Sequence, residues 1–314
     1  MILSISRRTD IPAFYPDWLM NRFREGFALV RNPMNHHGVS RISLSPDVVD
    51  CIVFWTKNPA PLLPFLDQIA QTYPFYFQFT LNAYGTDLEP NLPALSERLR
   101  TFRQLSRTIG KERVIWRYDP VMLTERYSVA WHMRTFASLA DQLAGHANCC
   151  IFSLVDPCAK VKKNLEIHRV APISPAEIDR LARAFSVSAH AHGMALKTCA
   201  EAVDLDAYGI EHASCIDPVL ISKLIGCDVP APKDPNQRDL CGCMASIDLG
   251  QYNTCQHGCI YCYANHSQPS VQKSVAAHIS TSPLLIGAIE PSDKITDRKA
   301  RSLCGDRAPR GEMG

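Results

Sequence analysis

The sequence predicts an α/β fold built as a parallel (β/α) barrel, complete or partial. Short apolar runs alternate with longer helical patterns over the first 200 residues, and this alternation is typical of parallel strands joined by helical crossovers. A polar segment follows nearly every apolar run, whereas the glycine-rich first turn of an open nucleotide-binding sheet is missing. Because a barrel gathers all its strand ends at one mouth, these observations favour a barrel over an open sheet.

The strands are predicted where the apolar runs are short and rich in β-branched or aromatic residues. Six such runs are Ile2–Ser6, Cys51–Trp55, Phe75–Leu81, Arg113–Tyr118, Cys149–Val155 and Met194–Thr198. Between them lie amphipathic helices, for example from Leu92 to Ile109, where apolar residues recur at helical spacing. A seventh strand, Ser246–Gly250, is expected to join the sheet late in the chain.

The polar strand ends supply candidate site residues. Arginine presents a planar fork that suits carboxylates and phosphates, so Arg7, Arg8 and Arg117 are candidates for binding an anionic group at the mouth. A charged residue at a strand end is more often a solvated rim, and Lys57 and Glu201 could simply pair with neighbours. The other polar side chains at these ends are Asn82 and Asp119.

Composition is typical of an intracellular enzyme. The chain has 314 residues, 46% hydrophobic and 20% charged, with no apolar run long enough to cross a bilayer. Thirteen cysteines are an odd number, and no secretory signal follows the paired arginines near the amino terminus. We therefore expect a cytoplasmic protein with reduced, metal-binding thiols rather than a disulfide framework. The net charge of +2 provides no overall field for nucleic acid.

A cysteine-rich loop carries the clearest chemical signal. Cys255, Cys259 and Cys262 are separated by three and then two residues. A cubane cluster is normally held by four thiolates, so a loop with three leaves one iron open to another ligand. The alternative is a structural zinc site completed by Cys241 and Cys243. Zinc ribbons favour two Cys-x2-Cys knuckles, and this region contains one.

The string Cys255-Gln-His-Gly-Cys-Ile-Tyr-Cys-Tyr-Ala264 resembles the cluster loop of radical S-adenosylmethionine (SAM) enzymes. In this longer form it is similar to the loop of the branch that contains spore photoproduct lyase and DNA-repair-photolyase-like proteins. From Ser4 to about Arg301 the chain also resembles a bacterial family catalogued as domain of unknown function eighteen-forty-eight. That second resemblance implies no particular reaction.

The radical SAM resemblance implies a 4Fe-4S cluster on Cys255, Cys259 and Cys262 whose open iron chelates the amino and carboxylate groups of SAM. Reductive cleavage of SAM then yields a 5'-deoxyadenosyl radical, which abstracts hydrogen from a small-molecule or nucleic-acid substrate. An electron donor such as flavodoxin or ferredoxin is implied. The candidate cofactor-binding residues are Tyr261, Arg7, Arg8, Asn82 and Glu201, and the candidate catalytic residues are Lys57, Arg117 and Asp119.

In radical SAM enzymes the cluster loop follows the first strand, so its late position here predicts a permuted barrel. We expect the barrel repeats over 1–229, a cysteine-rich iron-sulfur segment completing the barrel over 230–266, and a tail over 267–314. Four further thiols, on Cys199, Cys215, Cys241 and Cys243, are sufficient for a second iron-sulfur cluster or a zinc ion, although ordinary burial also explains them. The alternative function is a non-catalytic iron-sulfur or zinc-binding module for electron transfer or structure.

Overall fold

A computed structural model of the chain describes residues 1–230 and 232–305. Within these residues the strands form one eight-stranded sheet and one three-stranded sheet. The strands are β1 Ile2–Ile5, β2 Phe27–Asn32, β3 Asn35–Ser43, β4 Cys51–Thr56, β5 Phe75–Thr80, β6 Val114–Val121, β7 Cys149–Leu154, β8 Ala195–Thr198, β9 Glu211–His212, β10 Ile247–Asp248 and β11 Lys294–Asp297.

Nine α-helices connect or flank these strands in the described residues. They are α1 Ile11–Phe14, α2 Pro16–Glu25, α3 Leu66–Ala70, α4 Leu95–Ile109, α5 Val129–Gln142, α6 Lys162–Ile167, α7 Pro175–Ala191, α8 Pro218–Ile225 and α9 Gln268–Ala276. Short 3-10 segments lie at Ala60–Phe65, Lys111–Arg113 and Asp206–Tyr208.

The large sheet is parallel throughout, in the order β10-β1-β4-β5-β6-β7-β8-β9. Its strands are nearly continuous apolar runs because helices cover such a sheet and both faces are buried. The predicted α/β class and its six early strands are confirmed, with ends shifted by at most three residues. The end strands β9 and β10 do not pair with each other in the described chain, so barrel closure is not observed.

The late strand completes the sheet next to β1. Leu3 aligns with Ile247 and Ser4 with Asp248, in parallel. β10 has only two residues, but the Asp248 side chain fixes it to the β1 segment. The Asp248 carboxylate accepts hydrogen bonds from the Ser4 and Ser6 hydroxyls and from the Arg7 amide at 2.6–2.9 Å. The chain therefore leaves β10 at the same end of the sheet as the carboxyl end of β1.

An aromatic layer packs the helices onto the sheet. The ring of Phe136 on α5 stacks on Trp116 of β6 at 4.9 Å and on Phe185 of α7 at 4.2 Å. Large buried aromatic side chains contribute strongly to core stability, and stacked pairs add to that contribution. Ser174 and Glu177 form a complete capping box at the beginning of α7.

The sequence analysis missed the second sheet. β2 and β3 form an antiparallel hairpin, and β11 pairs with β3 in parallel, with Lys294 opposite Gly38. The first half of β3 and all of β11 are largely exposed and polar, so neither has the apolar alternation on which strand prediction depends.

The prediction of a tail over 267–314 differs from the structure, since the described residues to 305 contain α9 and β11. This segment docks on α2, where the Trp18 indole donates to the Ser282 and Leu284 carbonyls at 2.9 and 3.1 Å. Residues 306–314 lie outside the described residues. No helix in the described chain has the length and apolar character needed to cross a bilayer.

Cys227 and Cys304 form a disulfide with a Cα–Cα distance of 6.0 Å. Reduced thiols are predicted from the sequence, so this disulfide differs from the prediction. Their 77-residue separation explains why spacing alone does not reveal the pairing. The other cysteines are free.

Candidate metal centre

The carboxyl ends of the parallel strands open into a cavity of about 1200 Å³. Arg7 after β1, Lys57 after β4 and Arg117 within β6 all line it. The late strand brings the cysteine loop to the same place, so Cys255, Cys259 and Cys262 line the cavity too. Because the strand ends of a parallel sheet share one edge, residues up to 255 positions apart become neighbours.

The cysteine loop is a closed turn. The Asn253 amide donates to the Ala264 carbonyl at 2.9 Å, and the Cys262 amide donates to the Cys259 carbonyl at 3.1 Å. Gly258 has a φ of +71°, and a Cβ there would lie 2.8 Å from the Gln268 amide nitrogen. The left-handed backbone therefore favours glycine, whereas the Gln268 side chain could move aside.

The spacing of the three loop thiols bears on the kind of metal group that they could hold. A zinc ion brings its sulfurs to within about 4 Å of one another, whereas the thiolates of a cubane bind separate irons. A single metal ion needs at least three ligand atoms close together. Among the described residues, a set of His, Cys, Asp or Glu ligand atoms that all lie within 4.8 Å of one another is formed by the exposed residues His36, His37 and Glu290. The three loop sulfurs do not meet this condition together.

Burial governs the acidity of the loop thiols. It raises the pKa of Cys255 and Cys262, and it raises the pKa of Cys259 to about 12 even though the Lys57 ammonium opposes the shift. Ligation of a metal requires thiolates, so any metal group bound here would have to supply the free energy of deprotonation.

Lys57 supports the cysteine loop through Glu89. The Lys57 ammonium donates to Glu89 Oε1 and to Tyr261 Oη, both at 2.8 Å, and the Tyr261 hydroxyl donates to the same carboxylate. Burial alone would lower the pKa of Lys57, but the Glu89 carboxylate outweighs it and leaves that pKa raised. Burial likewise opposes ionisation of Glu89, yet Lys57 and Arg98 hold its pKa below the usual range. Glu89 lies in an irregular segment, and no sequence pattern singled it out.

Asp10 holds the opposite side of the loop. Its Oδ2 accepts hydrogen bonds from the Lys57 amide at 2.7 Å and from His257 Nε2 at 2.8 Å, while its Oδ1 caps α1 through the Ala13 amide. His257 Nδ1 is buried without a hydrogen-bond partner. The loop histidine is thus oriented by a residue 247 positions earlier.

Arg7 and Arg8 lie beside the loop with partly exposed guanidinium groups. Arg7 Nη2 donates to Ser246 Oγ at 3.0 Å, and Arg8 Nη1 donates to the Gly250 carbonyl at 3.4 Å. Both line the cavity, and each also lies 4.0 Å from a carboxylate oxygen, that of Asp234 for Arg7 and that of Asp248 for Arg8. They remain candidates for binding an anion.

Arg117 is buried and doubly bound. Its Nε and Nη2 donate to Asp119 Oδ2 at 3.1 and 2.5 Å, and its Nη1 lies 2.8 Å from the Cys215 sulfur. The Ser153 hydroxyl also donates to Asp119. Burial raises the pKa of Asp119, but the Arg117 guanidinium outweighs that effect and leaves the pKa lowered. With these partners, Arg117 and Asp119 form a fixed ion pair at the cavity wall.

Asn82 and Glu201 bind mainly to the backbone, and Asn82 Nδ2 also donates to Glu89 Oε1 at 3.5 Å. Asn82 exchanges two hydrogen bonds with the backbone of Asp119, at 2.8 and 2.9 Å. Glu201 Oε1 accepts from the Leu154 amide at 2.8 Å. Both side chains connect strand ends, and neither belongs to the lining of the cavity.

The second cysteine set converges on the same cavity. The sulfurs of Cys199 and Cys215 are 3.1 Å apart, and Cys243 accepts a hydrogen bond from the Ile216 amide at 3.4 Å. Thiol hydrogen bonds from Cys215 and Cys241 lower the pKa of Cys243. The four residues, including Cys241, all line the cavity.

The fold and this centre define an α/β protein whose parallel strand ends enclose a cavity with two groups of thiols. A family model described as Domain of unknown function (DUF1848) matches residues 2–264, and the chain belongs to this family. The resemblance inferred from the sequence is confirmed at that level.

A comparison with curated proteins finds no significant match. Among solved structures, the chain is similar to a proposed alpha-L-fucosidase from Bacteroides thetaiotaomicron, with 13% identity over 73% of this chain and 84% of that chain. The TM-score is 0.25, so this likeness supports no conclusion about fold or activity.

Proposed function

We propose that the protein is a radical SAM enzyme that holds a 4Fe-4S cluster on Cys255, Cys259 and Cys262. The observation that carries this proposal is the presence of three thiols on one closed turn, beside a large cavity and without a fourth cysteine in the turn. Three thiolates leave one iron free for an external ligand. When bound, the cluster would supply the electron that cleaves SAM to methionine and a 5'-deoxyadenosyl radical.

The protein residues position the loop. Asp10 fixes His257, and the Lys57–Glu89–Tyr261 contacts hold the loop from the other side. The Asp10–His257 contact is buried and the Lys57–Glu89–Tyr261 contacts are partly buried, so the loop is supported by groups that are themselves held in place. The protein thus contributes orientation, while the cofactor contributes the radical chemistry.

The cavity has room for SAM and a substrate together. Its volume of about 1200 Å³ exceeds that of a typical single-ligand pocket, roughly 300–1,000 Å³. Arg7 and Arg8 offer guanidinium groups close to the loop, which suits the SAM carboxylate or an anionic substrate. Trp55 also lines the cavity, although its indole nitrogen is buried without a hydrogen-bond partner.

The test is anaerobic incubation of reconstituted protein with dithionite and SAM, followed by measurement of 5'-deoxyadenosine. We expect product from the wild type and none above background from Cys259→Ala. Cys158→Ala is the matched control, because Cys158 lines the same cavity outside the loop, and it should retain activity.

Two results would contradict the proposal. One is absence of 5'-deoxyadenosine from iron-loaded wild type, which favours the non-catalytic electron-transfer or structural module. The other is loss of iron in Cys158→Ala equal to that in Cys259→Ala, because a fourth protein thiolate would then occupy the iron that SAM needs.

A further inference from the structure

We infer that His36, His37 and Glu290 form a binding site for a divalent transition-metal ion of the zinc type. Each residue offers one ligand atom, and these three atoms all lie within 4.8 Å of one another. Two imidazole nitrogens and one carboxylate oxygen are a ligand set that zinc accepts, with water in the fourth position. Mg²⁺ and Ca²⁺, by contrast, prefer oxygen ligands. None of the three residues lines the cavity of the cysteine loop.

An irregularity in the β2–β3 hairpin allows two consecutive histidines to approach each other. In a regular strand, successive side chains point to opposite faces of the sheet. Here Arg31 of β2 pairs with Val39, whereas the next residue, Asn32, pairs with Asn35. Residues 36–38 are therefore inserted between two successive pairs, and such a bulge changes the direction of its side chains. The two imidazole rings meet edge to face, with their centroids 5.5 Å apart.

The parallel pairing of β11 with β3 supplies the third ligand. Lys294, the first residue of β11, lies opposite Gly38. Because the two strands run in the same direction, the residues just before Lys294 lie beside the residues just before Gly38. A tight turn forms there, in which the Asp293 amide donates to the Glu290 carbonyl at 3.0 Å and the Glu290 amide donates to Asp293 Oδ2 at 2.8 Å. The turn places Glu290 beside the two histidines.

Arg31 and Asp293 hold the two ligand-bearing segments together. Arg31 Nη2 donates to Asp293 Oδ2 at 2.8 Å and to the Ala288 carbonyl at 3.2 Å, while Arg31 Nη1 donates to Asp293 Oδ1 and to the His36 carbonyl. The Asp293 side chain is inaccessible to solvent, although the three ligand residues are exposed. A charged group that fixes the ligand-bearing backbone without ligating is the kind of support that orients ligands in metal sites.

The ligand groups can bind a metal without breaking existing contacts. His37 Nδ1 hydrogen-bonds with the Ser292 hydroxyl at 3.1 Å, and a metal bound to the other ring nitrogen, Nε2, leaves this contact in place. A second hydrogen bond of this kind fixes the ring of a metal-binding histidine. Within residues 1–230 and 232–305, the His36 ring and the Glu290 carboxylate make no hydrogen bond or salt bridge. Both groups are therefore available as ligands.

Hydrogen exchange of the full chain tests the site at its own position. Exchange is followed by mass spectrometry in peptides covering 35–41 and 290–297, at several buffered concentrations of free zinc. Opening of β11 from β3 separates Glu290 from the histidines, so zinc at ten times its dissociation constant should slow exchange about tenfold. The same concentrations of Mg²⁺ should have no effect. Because the readout is local, zinc bound by cysteines elsewhere in the chain does not contribute to it.

Substitutions identify the ligands. His36→Ala and Glu290→Gln should each abolish the zinc-dependent slowing, and because both residues are exposed, exchange in the rest of the chain should stay as in wild type. His266→Ala, at an exposed histidine outside the site, is the matched control and should keep the slowing. Cobalt provides a spectroscopic check. The cobalt spectrum of wild type minus that of His36→Ala should contain weak d–d bands and no sulfur-to-cobalt charge transfer.

Three results would overturn the inference: no zinc-dependent slowing in wild type, slowing that persists in both His36→Ala and Glu290→Gln, or slowing that appears only at millimolar zinc, which would indicate adventitious surface binding. The test is separate from that of the proposed function, because the cysteine loop takes no part in it. If the wild type cleaves no SAM but zinc still protects β11, the radical SAM proposal fails and the metal site stands.

Discussion

Lys57 Nζ lies 2.8 Å from Tyr261 Oη, so a cation at the end of β4 is bound directly to the cysteine loop 204 residues later. The same ammonium contacts Glu89, whose carboxylate is fully buried. Arg98 lies 3.7 Å from the other oxygen of that carboxylate. The loop is therefore anchored to a buried charge network rather than resting on the surface.

Replacing Lys57 should destabilise the fold. Lys57→Met leaves the Glu89 carboxylate buried with only Arg98 beside it, and we expect the free energy of unfolding to fall by about 3 kcal/mol. Urea denaturation measures this change, with the exposed Lys163→Met as control, expected to stay within about 0.5 kcal/mol. The double variant Lys57→Met/Glu89→Met should recover much of the loss. Equal stability of Lys57→Met and wild type would show that the network contributes little.

A methyl group at position 250 should disturb the connection from β10 to the cysteine loop. A Cβ on Gly250 would lie 1.9 Å from Ser6 Oγ and 2.7 Å from Ser6 Cβ, so Gly250→Ala should cost about 3 kcal/mol or more. Gly145→Ala is the comparison, because it has a φ of +75° but open space, and it should cost only about 1–2 kcal/mol. Thermal unfolding of both variants tests this order, and a larger loss in Gly145→Ala would contradict it.

His132 should make the fold sensitive to acid. Burial lowers the pKa of His132 from 6.5 to about 4, and its ring accepts a hydrogen bond from Tyr118 and donates one to the Met122 carbonyl. Between these pH values the unfolded chain binds a proton that the folded chain does not, so stability falls as the pH drops from 6.5 towards 4. The expected loss across this range is about 3 kcal/mol.

Urea unfolding of chelator-treated protein at several pH values measures this effect without a contribution from acid release of metal. His132→Gln preserves a donor and an acceptor but does not titrate, so its stability should depend less on pH. The exposed His266→Gln should behave like wild type. A wild-type slope that persists in His132→Gln would assign the acid sensitivity to other groups.

Arg8 provides a test of the anion site beside the loop. If its guanidinium binds the SAM carboxylate, Arg8→Gln should weaken SAM binding about tenfold, the effect of losing one hydrogen bond to a charged group. Isothermal titration of anaerobic, cluster-loaded protein gives the dissociation constant. Arg100→Gln, at an exposed position on α4, should bind as wild type does. Unchanged affinity in Arg8→Gln would exclude Arg8 from the SAM site.

Much of the fold follows from local patterns in the sequence. The six early strands, the helix Leu95–Ile109 and the late strand are encoded by apolar runs of characteristic length and period, which report directly on backbone conformation. The spacing of the three loop cysteines is equally local. This spacing predicts a cluster because spacers of two and three residues keep the three sulfurs near one another, independently of the rest of the chain.

Only the tertiary structure decided which side chains at the polar strand ends contact which distant residues. Asp10 with His257, Lys57 with Tyr261 and Arg117 with Cys215 are separated by 98–247 residues. Their pairing depends on the order of strands in the sheet and on the return of β10 to β1, neither of which is visible in a local pattern. The exposed strand β11 was missed for the same reason, because its partner β3 and not its own sequence makes it a strand. The sequence alone determined which three thiols the loop presents, and the long-range packing of a parallel sheet determined the neighbours of the loop.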